Sequence, residues 1–317
     1  MNEEMPLQVI DHSGFKVSQI ALGCMGLAGT WNPAEVSAEH RRKAVASVEA
    51  ALEAGINFFD HADIYGGTAC ESIFKDCMDA LKPERESIYI ATKVGIRSGF
   101  YDHSPEYIRE SVEGSLSRLG IEYIDLYQLH RPDPLSHPEE TAKVLDELAE
   151  EGKIRAVGVS NYYPNQYAAL AAYMESPIET HQVEFSLLHL EPLYEGREGQ
   201  GGDGILDHAL TNDLTPLAYS PLGRGWLSGK KEVPWDHPEK DRILRLTAEL
   251  KAVATAYDAT PTQVALAWIL AHPAGVIPLV GSNTPAHIKE AVGAVNLKLT
   301  RNQWYRLWTA SRGSNVP

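Results

Sequence analysis

Cysteine is scarce in this 317-residue chain, which holds only Cys24, Cys70 and Cys77. An odd number without CxxC spacing excludes a disulfide framework and a zinc knuckle, so free thiols are expected. Positive charge is also short: Lys+Arg 28 stand against Asp+Glu 43, a formal net charge of -15. That balance opposes general attraction to nucleic acid or to an anionic membrane, so any anionic ligand must be held by local donors. No apolar stretch approaches the length of a membrane span. The opening MNEEMPLQVID is acidic where a secretory leader is basic, and it lacks a continuous apolar run. A soluble cytoplasmic protein is expected. No Gly/Ser-rich linker or charge run divides the chain, which favours one domain over 1–317 rather than two.

What the chain does contain is regular punctuation. At 44% hydrophobic it can bury a large core. In SPEYIRESVEGSLSRLG, Ser104 caps, Pro105 suits the first helical position, Ile108, Val112, Leu116 and Leu119 share a face, and Gly120 stops the helix. Thr260-Pro261 and Thr284-Pro285 open two further helices in the same way. Val45, Val48 and Leu52 form one face before Gly55, and Val144, Leu145 and Leu148 another before Gly152.

Between the helices lie eight short apolar runs without alternation: IALG, NFF, IYIAT, DLYQL, AVGV, HQVEF, TPLAY and VIPLV. Such runs fit strands covered on both faces. Polar residues cluster at their ends, among them Asp60, Lys93, His130, Ser160 and Asn161, with Gln182 inside its own run. The spacings 60 to 93, 93 to 130 and 130 to 160 match one strand-helix unit if roughly 250 residues make eight. The expected fold is therefore an α/β (β/α)8 barrel. A strand-like pair near 7–10 and 15–18, turning at His12-Ser13-Gly14, is expected to close its floor. Segments 191–204 and 228–240 are the longest irregular parts, candidates for loops over the rim.

Asp60, Tyr65, Lys93 and His130 are best taken together. A tyrosine, with an unperturbed pKa of about 10, donates a proton poorly near neutrality unless a cation favours its ionised form. Lys93 supplies that cation and Asp60 anchors the lysine. His130 then hydrogen-bonds the oxygen that Tyr65 protonates, orienting a carbonyl. Taken singly, each has a structural use: a loop cap, a packing ring, a solvated charge, a satisfied imidazole. Together, at three consecutive strand ends, they describe a site for reducing a carbonyl.

In order and over nearly the whole chain, DHADIYGG, ATKVG, LYQLHRPDP, GVSN, the Gln182 strand and YSPLGRGWLSGK resemble the aldo-keto reductase superfamily. DHADIYGG, LHRPDPL and the tail TRNQWYRLWTASRGSNVP are similar to its bacterial oxidoreductases without an assigned substrate. The resemblance implies a (β/α)8 barrel reducing aldehydes and ketones with NADPH, and a tetrad of Asp60, Tyr65, Lys93 and His130. It also implies that Ser160, Asn161 and Gln182 hold the nicotinamide amide and that Tyr219 stacks on the ring. Gly23, Cys24 and Met25 at the first strand end are implied cofactor contacts. Ser220, Pro221, Leu222, Gly223, Arg224 and Gly225 match a loop around the pyrophosphate.

At the last strand end the pattern departs from the family. A lysine before the serine and an arginine five residues after it usually hold the adenosine 2'-phosphate. Here Gly281 and His287 occupy those places, beside Ser282 and Asn283. NADP(H) is still expected over NADH, by a reduced margin, because a helix N-terminus retains donors and a favourable dipole for phosphate.

Two rival classes are weaker. A metal-dependent hydrolase barrel draws on His61 between Asp60 and Asp63, but IALGCMG offers no HxH pair. A non-catalytic cofactor-sensing module shares the fold, yet the tetrad is intact. For the substrate pocket, Trp31 is the expected wall beside Tyr65 and His130, with Trp226 or Trp235 as further candidates.

Overall fold

The computed structural model describes residues 5–193 and 204–315. β1 (Leu7–Ile10) and β2 (Phe15–Ser18) pair as an antiparallel hairpin, in the register Leu7 to Ser18 through Ile10 to Phe15. Then come β3 (Ala21–Gly23), α1 (Ala38–Glu53), β4 (Phe58–Asp60), α2 (Ala69–Leu81) and β5 (Tyr89–Val94). A rim hairpin of β6 (Ile96–Arg97) and β7 (Phe100–Tyr101) follows, then α3 (Pro105–Leu119), β8 (Ile124–Leu129), α4 (Pro138–Glu150) and β9 (Ile154–Ser160). The chain continues through α5 (Pro164–Ala171), β10 (Ile178–Glu184), α6 (Ile205–Thr211), β11 (Thr215–Tyr219), α7 (Lys240–Thr255) and α8 (Pro261–Leu270). It ends with β12 (Ile277–Val280), α9 (Pro285–Val292) and α10 (Arg301–Arg312).

The eight strands β3, β4, β5, β8, β9, β10, β11 and β12 pair in parallel and close into a barrel where β12 meets β3. Parallel pairing is why every strand delivers its last residue to the same rim. The floor is filled by Ile10, Phe15 and Val17 of the hairpin, packed with Phe58, Ala91, Leu126, Leu217, Ile277 and Leu279. All eight anticipated strands and the floor hairpin are present.

Helix faces match the spacing in part. Ile108, Val112 and Leu119 of α3 and Val144, Leu145 and Leu148 of α4 are buried. On α1 the buried set is Ala44, Ser47, Val48, Ala50 and Ala51, while Val45 and Leu52 are only half-buried. Small residues there let α1 lie close to its neighbours α2 and α9. The sequence signals miss α2, which starts from Thr68 in a left-handed conformation (φ 81) without a side-chain cap. Segment 229–239 has no helix or strand, and 194–203 of the other irregular part lies outside the described residues. No helix is long and apolar enough to cross a membrane among the described residues.

Candidate active site

The barrel rim opens into a cleft of about 930 Å³ bordered by residues at or just after the ends of β3, β4, β8, β9, β10, β11 and β12. Asp60 ends β4, Lys93 sits on β5, His130 follows β8, and Tyr65 comes from the loop after β4. The structure brings these four together. Lys93 is fully buried, and its Nζ donates to Asp60 Oδ2 at 2.7 Å, to the His61 carbonyl at 2.6 Å and to the Tyr65 hydroxyl at 3.3 Å. That accounts for all three ammonium hydrogens. The Tyr65 oxygen therefore accepts from Lys93 and keeps its own hydrogen for the cleft. The His130 ring stands edge-on to Tyr65 at 5.8 Å, with Nδ1 buried and unpartnered, which leaves Nε2 toward the cleft.

The electrostatics differ from the expectation for Tyr65. Burial raises its pKa, and although Lys93 pulls in the other direction it does not win. The reason is that the lysine's charge is already paired with Asp60 at shorter range. Burial also works against the Lys93 ammonium, but Asp60 and Tyr65 outweigh it and its pKa is raised. Burial, then Lys93 and Arg131, hold His130 well below the usual histidine range, so its ring is neutral. A charged lysine, a protonated phenol and a neutral imidazole thus face one space. Such an arrangement can hand a proton to a bound oxygen and hydrogen-bond it from a second side.

A second group surrounds Asp60. Gln182 Nε2 donates to Asp60 Oδ1 at 2.8 Å and to Gln128 Oε1 at 3.3 Å, while Gln128 Nε2 donates to the same Asp60 oxygen at 3.2 Å. Gln128 is a site residue that the sequence motifs do not single out. Its signal was strand period: it lies two residues before His130, on the same inward face.

Ser160, Asn161, Gln182 and Tyr219 border the cleft. Asn161 is also tied to the protein: its Nδ2 donates to Ser160 Oγ at 2.7 Å and to the His130 carbonyl at 3.3 Å, and its Oδ1 accepts from Tyr219 at 2.9 Å, which leaves one Oδ1 lone pair for a ligand. Ser160 then has a hydroxyl hydrogen to give. Gln182 has an oxygen to receive. A donor and an acceptor side by side suit a carboxamide, so these residues fit a nicotinamide. The Tyr219 ring is half-buried on the same wall.

The remaining residues divide. Gly23 and Met25 border the cleft, but the Cys24 side chain packs in the core and donates to the Leu22 carbonyl, because alternate residues at a strand end point opposite ways. Ser220, Pro221, Leu222, Arg224 and Gly225 border it. Gly223 does not; an added Cβ there would meet Leu188 at 2.6 Å. The backbone N–H groups of Gly223 and Gly225 close turns onto Ser220 and Leu222 rather than facing an anion. Gly281, Ser282, Asn283 and His287 border the far end, where Ser282 Oγ lies 3.3 Å from His287 Nδ1 and Asn283 is tied to the Gly26 carbonyl. The same cleft is bordered by Lys230, paired with Glu290 of α9, and by Lys231, 3.6 Å from the Trp226 ring centre. These lysines and Arg131 are cleft cations that no sequence motif singles out.

Trp31 borders the cleft and is 59% exposed. Trp226 and Trp235 do not: Trp226 packs against His237 and Lys231, and Trp235 stands in solvent. His61 is fully buried against Phe74, both ring nitrogens unpartnered, with its pKa lowered to about 3 by burial and by Lys93.

A closed parallel barrel with ionisable strand ends around a deep cleft defines a (β/α)8 barrel with its site at the strand ends. Residues 19–311 match the model of the aldo/keto reductase family, and the chain belongs to that family. It is 39% identical over 316 residues to a 6-dehydroglucose reductase of Novosphingobium aromaticivorans, covering 97% of this chain and 96% of that protein. It is 35% identical over 284 residues to the oxidoreductase YdhF of Escherichia coli, covering 87% and 90%. Among solved structures, a glycerol dehydrogenase from Gluconobacter oxydans superposes with a TM-score of 0.82 at 27% identity, covering 100% of this chain and 97% of that one.

Proposed function

We propose that this protein reduces an aldehyde or ketone to an alcohol with NADPH, Tyr65 supplying the proton. The observation that carries this is the Tyr65 hydroxyl, which accepts from the buried Lys93 ammonium and keeps its hydrogen for a cleft that neutral His130 also borders. NADPH, when bound, supplies the hydride. Tyr65 delivers the proton to the carbonyl oxygen. His130 holds that oxygen by a hydrogen bond from Nε2, and Lys93, fixed by Asp60, limits the cost of the charge left on Tyr65. Ser160 and Gln182 orient the nicotinamide amide, with Tyr219 against the ring.

NADP(H) is favoured over NADH by the adenosine end of the cleft. Ser282, Asn283 and His287 stand at the start of α9, and Lys230 and Lys231 border the same cleft. Lys230 is partly neutralised by Glu290, so the margin is smaller than a free cation pair would give.

The test is a carbonyl panel followed by loss of NADPH absorbance. One relative's activity puts 6-dehydroglucose at its head. Turnover of at least one carbonyl is expected, with a higher kcat/KM for NADPH than for NADH. His287→Ala should narrow that ratio. Tight NADPH binding without turnover across the panel would replace the enzyme by a cofactor-sensing module. Equal or better use of NADH would remove the cofactor preference.

A further inference from the structure

Asp60 is ion-paired with Lys93 and offers only acceptors, so its two glutamine neighbours must each turn an amide nitrogen toward it. This fixes both amides without ambiguity. With its nitrogen on Asp60, Gln128 presents Oε1 to Gln182, and that oxygen accepts the second Gln182 N–H at 3.3 Å. Gln182 has then spent both hydrogens inside the barrel. Its Oε1 accepts from no other residue among the described ones, and Gln182 borders the cleft.

We propose that Gln128 is a positioning residue that makes Gln182 a pure acceptor toward the cleft, so that the site selects a ligand with an N–H donor there. The inference rests on the nicotinamide reading above, in which that donor is the carboxamide NH2. Gln128 touches no ligand in this account. It acts through Gln182. Gly158, paired in register with Gln128 on the adjacent strand, leaves the room its side chain occupies: an added Cβ would come within 3.0 Å of Gln128 Cγ.

The probes are NADP+ and its 3-acetylpyridine analogue, in which a methyl ketone replaces the carboxamide and the N–H donors are lost while the carbonyl stays. Dissociation constants come from calorimetric titration, which needs no turnover. Wild type should favour NADP+ by about tenfold, the size of one hydrogen bond left unmade in a closed site. Gln128→Met and Gln128→Leu, of similar volume, free one Gln182 hydrogen and should reduce the preference to about threefold or less. Thermal unfolding midpoints show that each variant is folded.

A preference unchanged in both apolar variants overturns the assignment. Equal weakening of both ligands at a constant ratio has the same meaning, since that is what a merely structural glutamine produces. If wild type binds both ligands equally, Gln182 does not read the amide. If wild type binds neither, the cofactor reading itself fails.

Discussion

At the scale of single residues, the site is a competition between burial and charge. Tyr65 is nearly buried and its phenol resists ionisation, so the free protein holds it protonated and ready to donate. Lys93 cannot reverse that, because Asp60 takes most of its field at 2.7 Å. Its contribution comes later, when a proton leaves and the phenolate needs a neighbour. Tyr65→Phe keeps the ring and removes the proton, so turnover in the carbonyl assay should fall by roughly 10² or more. NADPH affinity should stay within a few-fold. Turnover near that of wild type would take Tyr65 out of the reaction.

At the scale of elements, the site depends on how closely neighbouring strands approach. Gly158 lies in β9 between Gln128 of β8 and Thr180 of β10. An added Cβ would sit 2.2 Å from Thr180 Oγ1 and 3.0 Å from Gln128 Cγ. Thr180 is buried and β-branched, so it has little freedom to step aside. Gly158→Ala should therefore lower stability by about 1–3 kcal/mol, the range for overpacking a filled core, measured by urea unfolding. An unchanged midpoint would show that the layer has slack. The floor hairpin and all eight barrel strands follow local apolar runs and turns, yet no local signal announces a glycine inside the barrel as a spacer or the rim hairpin of β6 and β7.

At the scale of the whole molecule, buried histidines set the response to acid. Burial lowers His61 to about 3, and His103 to about 4 despite Asp133 and Asp102. Burial also lowers His181 to about 3, helped by His208. The unfolded chain takes up these protons near pH 6.5, while the fold refuses them until pH 3 to 4. Their stability is present above pH 6.5 and is lost as pH falls toward 4. Asp63 runs the other way: burial raises it to about 6, so the fold binds a proton that the unfolded chain has released, and stability is gained as pH falls below 6. Burial also holds His130 low and raises Glu179, so four histidines stand against two carboxyls and leave a net loss. The thermal midpoint should drop between pH 7 and pH 5. His181→Leu should flatten that slope by one proton, about 1.4 kcal/mol per pH unit. A slope that does not change would mean that His181 is not refused its proton.

The sequence by itself determined the barrel, its hairpin floor, and which polar residues stand at the rim. These follow from strand runs, helix stops and the two-residue period of a strand, all of which are local. It also carried the family motifs around Asp60, Tyr65, Lys93 and His130. Tertiary structure alone decided what those groups face. Gln182 and Asp60 meet across 122 positions, and Lys230 crosses 60 positions to Glu290. Such partners have no trace in spacing. The direction of the Tyr65 shift depends on whether burial or a neighbouring charge is larger, and that balance exists only once the side chains are packed. Cys24 turning into the core, Asn161 spending its amide hydrogens on the protein, and Trp226 and Trp235 standing clear of the cleft were fixed the same way. Strand period says which face a residue takes, but only the closed barrel supplies what is waiting there.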